Sequence, residues 1–309
     1  MDRDLPYDLE DHAALAEDAA AVDPLRAATD CPAPECGAPA GGLHQPDCQT
    51  LWTSPEPDHE EIPEMITHTL TNLARIHHAS VIGGRYTQAD HISVCDGARA
   101  LAVAVADGAG DDSDAAECAQ IAAQVGAAVA ASTGDPTMGL GSADTYVGDR
   151  NHYAPELQEG ITTATILTIA TTGLRLVWVG DSPGWGVTAA GEVVGLTVPS
   201  CHPCQTPCNV AEPHREAHNG PWPHIRAADF DSFTRVIVAS DGVTAHLPLW
   251  ERVGDHVAAM LPTLAQVAEP RLDGEHVLAR LMEIAAQGRG RQDNTTIAVV
   301  DLIPNGSDA

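Results

Sequence analysis

The chain has 309 residues, with 44 Asp plus Glu against 15 basic residues, all of them Arg, for a formal charge of −29. That balance excludes a general binder of nucleic acid or anionic membrane, because affinity for polyphosphates needs basic side chains that displace counterions. With 44% hydrophobic but only 4% aromatic residues, the core must be packed from Ala, Val, Leu and Ile, and the length suits one large domain or two ordinary ones.

Residues 1–62 are acidic and rich in Ala and Pro, without a sustained helical period, and read as an appendage. The start, Met1-Asp2-Arg3-Asp4, lacks an apolar signal core. The longest Ala-rich run, residues 121–131, falls short of the ~20 apolar residues that span a bilayer. The expectation is a cytoplasmic protein with no membrane or nucleic-acid partner. Cys31, Cys36, His44 and Cys48 offer three thiolates and an imidazole within a short stretch rich in Pro and Gly. They form a candidate structural zinc site, with unligated thiols or a disulfide as the alternatives.

The main domain is expected over residues 63–304, with 305–309 a short tail. At its start, Ile66, Leu70, Leu73 and His77 recur at helical spacing and predict an apolar helix face. Residues 91–95 and 100–106 read as strands, with Asp96-Gly97 as the hairpin signal between them. Asp114 and Glu117 form a capping box that would open an Ala-rich helix running to about residue 131. Residues 133–160 are polar and Gly-rich, which predicts a loop.

Residues 162–170 and 174–179 read as a second hairpin, and 185–188 with 192–197 as a continuation of that meander. A Pro-, Cys- and His-rich stretch over 199–223 breaks the pattern. Its Cys201, Cys204 and Cys208 form a second candidate zinc group, with His202, His214 and His218 as alternative fourth ligands. Residues 235–239 predict a buried strand, 274–286 a helix stopped at Gly288, and 295–301 a final strand. Strand runs interrupted by a few helices predict an α+β fold with layered antiparallel sheets. The isolated Cys95 and Cys118 read as small core residues, and Asp96-Gly97 and Asp273-Gly274 as ordinary turn chemistry.

The informative feature recurs: an apolar strand ends in Asp followed by a small residue. It occurs at Val105-Ala106-Asp107-Gly108, at Val179-Gly180-Asp181-Ser182 and at Ala239-Ser240-Asp241-Gly242, and in inverted form where Asp293-Asn294 precedes the last strand. Strand ends are rigid, so carboxylates gathered there can be fixed around hard divalent cations. The competing reading is that each Asp-Gly is only a turn in an unrelated β-rich sandwich.

Gly84-Arg85 with Asp90, then Asp107-Gly108, Gly180-Asp181-Ser182, Ser240-Asp241-Gly242 and Asp293-Asn294 stand in the order found in the metal-dependent, type 2C protein phosphatases, a family the chain resembles over residues 67–302. The resemblance implies two antiparallel sheets in a sandwich flanked by helices, and two Mn²⁺ or Mg²⁺ ions in a cleft. It implies that Asp107 bridges the ions, that the Gly108 carbonyl ligates one, and that Asp241 and Asp293 hold the other. Asp90 would orient water and Arg85 would hold the substrate phosphate, the product being a free Ser or Thr hydroxyl on a phosphoprotein. Asp181 matches a residue linked to a third, more labile ion, whose usual acidic partner is here Ala245. Ala89 stands where the family commonly has an acidic residue, Pro183 replaces an Arg, and the Cys/His-rich 201–218 takes the place of a flap on the substrate side. A phosphatase fold that has lost catalysis and serves as a binding or regulatory module is the alternative.

Overall fold

In the computed structural model the described residues are 66–70, 73–153, 160–197, 224–228, 232–244, 246–247, 256–287 and 293–303. All of them belong to the second of the two units into which the chain divides, Met1–Ile62 and Pro63–Ala309. The cysteine and histidine groups at 31–48 and 201–218 lie outside the described residues, as do Ala245 and Gly288.

The strands are β1 (Ile66–Leu70), β2 (Ala74–Val81), β3 (Asp90–Asp96), β4 (Leu101–Asp107), β5 (Ala164–Ala170), β6 (Gly173–Val179), β7 (Gly184–Val187), β8 (Val193–Gly195), β9 (His224–Ala228), β10 (Arg235–Ala239) and β11 (Thr295–Leu302). The helices are α1 (Ser113–Thr133), α2 (Pro136–Tyr153), α3 (His256–Ala259), α4 (Leu261–Val267) and α5 (Gly274–Ala286). One antiparallel sheet runs β1-β2-β11-β10-β7-β8 and the other β3-β4-β5-β6-β9.

Alternation along the strands explains the layering. In β4, Leu101, Val103 and Val105 join the core shared with Ile76, Val236, Val238, Ala298 and Val300 of the other sheet, while Ala102, Ala104 and Ala106 face the helical layer of α1 and α2. In β11, Ile297 and Val299 turn the other way, toward Leu278 and Leu281 of α5. A period of two thus serves two cores from one strand. The result is the expected α+β sandwich of two antiparallel sheets flanked by helices.

Several elements differ from expectation. Residues 66–77 are strands β1 and β2, paired antiparallel with Leu70 opposite Ala74, not a helix. Thr67, Thr69, Ile76 and Val81 favour the extended chain, and burial in β2 follows sheet pairing, with Ala74, Ile76 and Ala79 inward. Residues 136–153 form α2 rather than a loop. Pro136, Gly139, Leu140, Ala143 and Val147 are its buried positions, a sparse helical stripe. Asp112, not Asp114, caps α1 by accepting the Ala115 N–H at 2.8 Å. Asp114 and Glu117 instead both bind Arg150 of α2, tying the two helices together. Asp273 is likewise a helix cap, for α5. The hairpin β7–β8 forms, but β7 pairs with β10 in the other sheet, so the chain crosses between sheets at residues 180–183 instead of continuing the meander.

Candidate functional site: a carboxylate cluster where the sheets meet

Antiparallel register brings the strand-end carboxylates into one place. Asp90 opens β3 directly opposite Asp107, which closes β4. The Asp107 carbonyl is fixed by the Thr163 N–H at 2.8 Å and the Thr162 hydroxyl at 2.9 Å. The Gly108 N–H donates to the Ala89 carbonyl at 3.0 Å, and a Cβ at 108 would lie 2.5 Å from the Ala115 carbonyl oxygen. Only glycine allows β4 to run this close beneath the start of α1.

The other sheet contributes similarly. In the β10–β11 pair Ala239 stands opposite Ile297, so Asp241 leaves one strand beside the entry of Asp293 and Asn294 into the next. A Cβ at Gly242 would overlap the Asn294 carbonyl, again requiring glycine. Asn294 donates from Nδ2 to the Ile82 carbonyl at 2.7 Å and accepts the Ala89 N–H at Oδ1, 3.1 Å away. It therefore ties the segment carrying Arg85 to the β11 end. Asp181 arrives from the crossover between sheets. There the Ser182 hydroxyl meets the Thr163 hydroxyl at 2.7 Å, and the Ser182 carbonyl accepts from the Thr165 hydroxyl at 3.0 Å.

Asp90 is the most deeply buried of the five, at 4% exposure. Its Oδ2 accepts the Ser240 hydroxyl at 2.6 Å, and Ser240 Oγ in turn accepts the Thr296 N–H at 2.9 Å. Burial above all, with Asp241 and Asp293 adding repulsion, raises its carboxyl to about 7 against the opposing Ser240 bond. Burial, then the charges of Asp90, Asp241, Asp181 and Asp293, push Asp107 well above the usual carboxylate range. Asp181 is raised by burial, with His256 pulling the other way. Five carboxylates from different elements thus act on one another. Asp90 Oδ1 is buried and has no hydrogen-bond partner.

Arg85 Nη2 donates to Asp293 Oδ2 at 2.7 Å. That bond raises the guanidinium further above its ordinary value, so it stays charged. The donor set is all hard oxygen, and its mutual repulsion together with the orphaned Asp90 oxygen fits divalent cations of the Mg²⁺ or Mn²⁺ kind. Among the described residues, no three His, Cys, Asp or Glu side chains stand close enough together, as placed, to hold a metal ion. The nearness of the carboxylates shows in their mutual electrostatic influence and in the register that sets them at neighbouring strand ends. Ala89 is buried at 1% exposure, an apolar wall beside the carboxylates.

Sequence reasoning missed the groups that hold this cluster. Ser240 and Asn294 stood inside quoted motifs without an assigned task. His256, whose ring Nε2 lies 2.8 Å from the Asp181 carbonyl oxygen, lies 75 residues from Asp181 and carried no local signal. Neighbouring Val257 accepts the Trp185 indole N–H at 3.0 Å, so this contact is anchored in the β7 core. Cys95 and Cys118 are free thiols, and burial pushes Cys118 up to about 11, consistent with an inert packing role.

The profile of the protein phosphatase 2C family matches residues 80–283, well over half of the chain, and the protein belongs to that family. Among solved structures, the fold is similar to the catalytic domain of the serine/threonine phosphatase PstP in complex with two manganese ions (TM-score 0.54, 20% identity, 75% of this chain and 99% of that one). It is also similar to Stp1 from Staphylococcus aureus (TM-score 0.59, 12% identity, covering 76% and 97%) and to RsbX in complex with magnesium (TM-score 0.54, 14% identity, covering 77% and 99%). No curated protein sequence matches significantly. Among the described residues no helix is long and apolar enough to cross a membrane.

Proposed function

We propose that the chain is a metal-dependent phosphatase that hydrolyses phospho-Ser and phospho-Thr in proteins. The observation that carries this reading is the convergence of Asp90, Asp107, Asp181, Asp241 and Asp293 in a family whose members include phosphatases. Asp107 with the Gly108 carbonyl, Asp241 and Asp293 would hold two Mn²⁺ or Mg²⁺ ions, with Asp181 beside a third, weaker position. Bound there, a cation pair supplies an acidified water and neutralises phosphoryl charge during in-line displacement. Asp90, its Oδ2 fixed by the Ser240 hydroxyl, would offer Oδ1 to orient the attacking water. Arg85 would turn from Asp293 to the phosphoryl oxygens, where a planar guanidinium can donate two parallel bonds.

With Mn²⁺ supplied, the purified protein should release phosphate from a phosphoserine or phosphothreonine peptide, and Asp241→Ala should abolish this while leaving the fold intact. Equal turnover in excess chelator would refute the metal mechanism. The apolar wall at Ala89 favours a second reading, a binding module without catalysis. Its mark would be calorimetry showing a folded chain that takes up no Mn²⁺ at millimolar concentration. The cysteine groups Cys31, Cys36, His44, Cys48 and Cys201, Cys204, Cys208 are proposed to hold structural Zn²⁺, to be counted by elemental analysis of the same preparation.

A further inference from the structure

The turn that carries Arg85 is held from two sides. The Arg85 N–H closes it on the Ile82 carbonyl at 3.4 Å, with Gly83 at a positive φ of 62° making the reversal. On one side Asn294 grips both ends of the segment, at Ile82 and Ala89. On the other, a single carboxylate oxygen, Asp111 Oδ1, accepts two consecutive backbone N–H groups, Tyr86 at 2.9 Å and Thr87 at 3.0 Å. Asp111 has a firm base of its own. It follows Ala109, whose N–H donates to the Ile161 carbonyl at 2.8 Å, and it precedes Asp112, the cap of α1.

Charge makes this arrangement informative. Asp111 acts electrostatically on Arg85 and adds one more anion beside a cluster of carboxylates. For a site meant to receive a phosphate dianion, an extra negative charge is by itself a handicap. What it contributes in return is geometric, because hydrogen bonds to an ionised acceptor are the strong ones, and these two fix the backbone on either side of the Tyr86 peptide. Moving Arg85 from Asp293 to a phosphoryl group then requires only side-chain rotation, with the backbone already in place.

We propose that Asp111 is a positioning residue for phosphate recognition: its carboxylate clamps the turn of Arg85, Tyr86 and Thr87 so that the Arg85 guanidinium is presented to the phosphoryl group. This rests on the reading of Arg85 as the phosphate contact given above. Misplacing such a contact by about 1 Å costs up to ~10²-fold, and a loosened turn should cost part of that.

The test compares Asp111→Ala with Asp111→Asn in the full chain with Mn²⁺ present. Inorganic phosphate binding is measured by calorimetry, and para-nitrophenyl phosphate hydrolysis is resolved into kcat and KM. Asp111→Ala should weaken phosphate binding and raise KM about tenfold, with kcat changed by less than about threefold and the half-saturating Mn²⁺ concentration unmoved. Asp111→Asn keeps a carbonyl acceptor in place and should stay within about threefold of the parent in both. A purely structural role would lower Tm and leave KM where it was. Parental phosphate affinity and KM in Asp111→Ala would overturn the proposal, as would Asn and Ala variants equally damaged, or a parent chain that binds no phosphate. A parent that binds phosphate but hydrolyses nothing would overturn the phosphatase reading alone, and the binding arm would still judge Asp111.

Discussion

The two helical layers answer the same problem with opposite materials. Against the five-stranded sheet, Ala102, Ala104 and Ala106 meet the Ala-lined face of α1, and α2 packs on α1 where Gly139 approaches Gly126. Against the six-stranded sheet, Trp185, Ile237, Met260, Leu264, Leu278 and Leu281 fill the space with large side chains. Small residues bury little apolar area each but let backbones approach closely, so that contact comes from dispersion over many short-range pairs. Large residues bury more area each and leave a hole when shortened. Both layers support the site, since α1 starts just beyond Asp107-Gly108 while α5 packs behind β11 and the turn Asp241–Thr244. The lesson is that one layer should fail on enlargement and the other on truncation.

The largest effect should come from truncation on the large-residue side. Leu278 is fully buried, and Leu278→Ala should lower unfolding free energy by about 2–5 kcal/mol, read by denaturant titration at fixed metal concentration. A loss below about 1 kcal/mol would mean that this layer collapses around cavities and that the contrast is false.

Next comes enlargement on the small-residue side. A Cβ at Gly139 would lie 2.5 Å from the Gly126 carbonyl oxygen and 2.9 Å from the Ala130 Cβ. Gly139→Ala should therefore destabilise by about 1–3 kcal/mol, although alanine is the better helix former. The smallest effect has the opposite sign. Gly141 lies two residues on in the same helix, with nothing within 4 Å of a built Cβ, and Gly141→Ala should stabilise by about 0.5–1 kcal/mol. Equal signs for the two alanines in thermal unfolding would show that helix propensity, not close approach, governs α2.

Legibility cut across that divide. Short apolar runs bounded by turn signals were readable in place: residues 100–106 and 295–301 were expected and are β4 and β11, and the helix over 274–286 is α5. In the small-residue layer the Ala-rich helix running to about residue 131 was also expected and is α1, whereas α2 was not. α2 carries Gly139, Gly141 and Gly148 among polar residues, so propensity argued for a loop. Its helicity comes from α1, through the Gly126 contact and the binding of Arg150 to Asp114 and Glu117. Residues 66–77 failed for another reason, since Ile66, Leu70, Leu73 and His77 fit a helical period by coincidence while pairing of β2 with β1 and β11 decided the backbone.

In the candidate site the acidic residues at strand ends could be read from local pattern, because an Asp after an apolar strand is a local fact. Who would hold them could not. Asp111, Ser240, Asn294 and His256 act across 24 to 212 residues of chain, and nothing near them in sequence announces a partner.

By itself the chain determined which residues could carry charge at the ends of its strands, because residue type and alternation are local. Tertiary structure alone decided that those charges lie near one another. Asp90 faces Asp107 through the register of β3 on β4, and Asp241 adjoins Asp293 through β10 on β11. Asp181 joins them because the chain changes sheets after β6. A carboxylate's proton affinity and its fitness as a ligand depend on which other charges lie within a few ångströms and how much water is excluded. Both are set by contacts between segments far apart in the polymer.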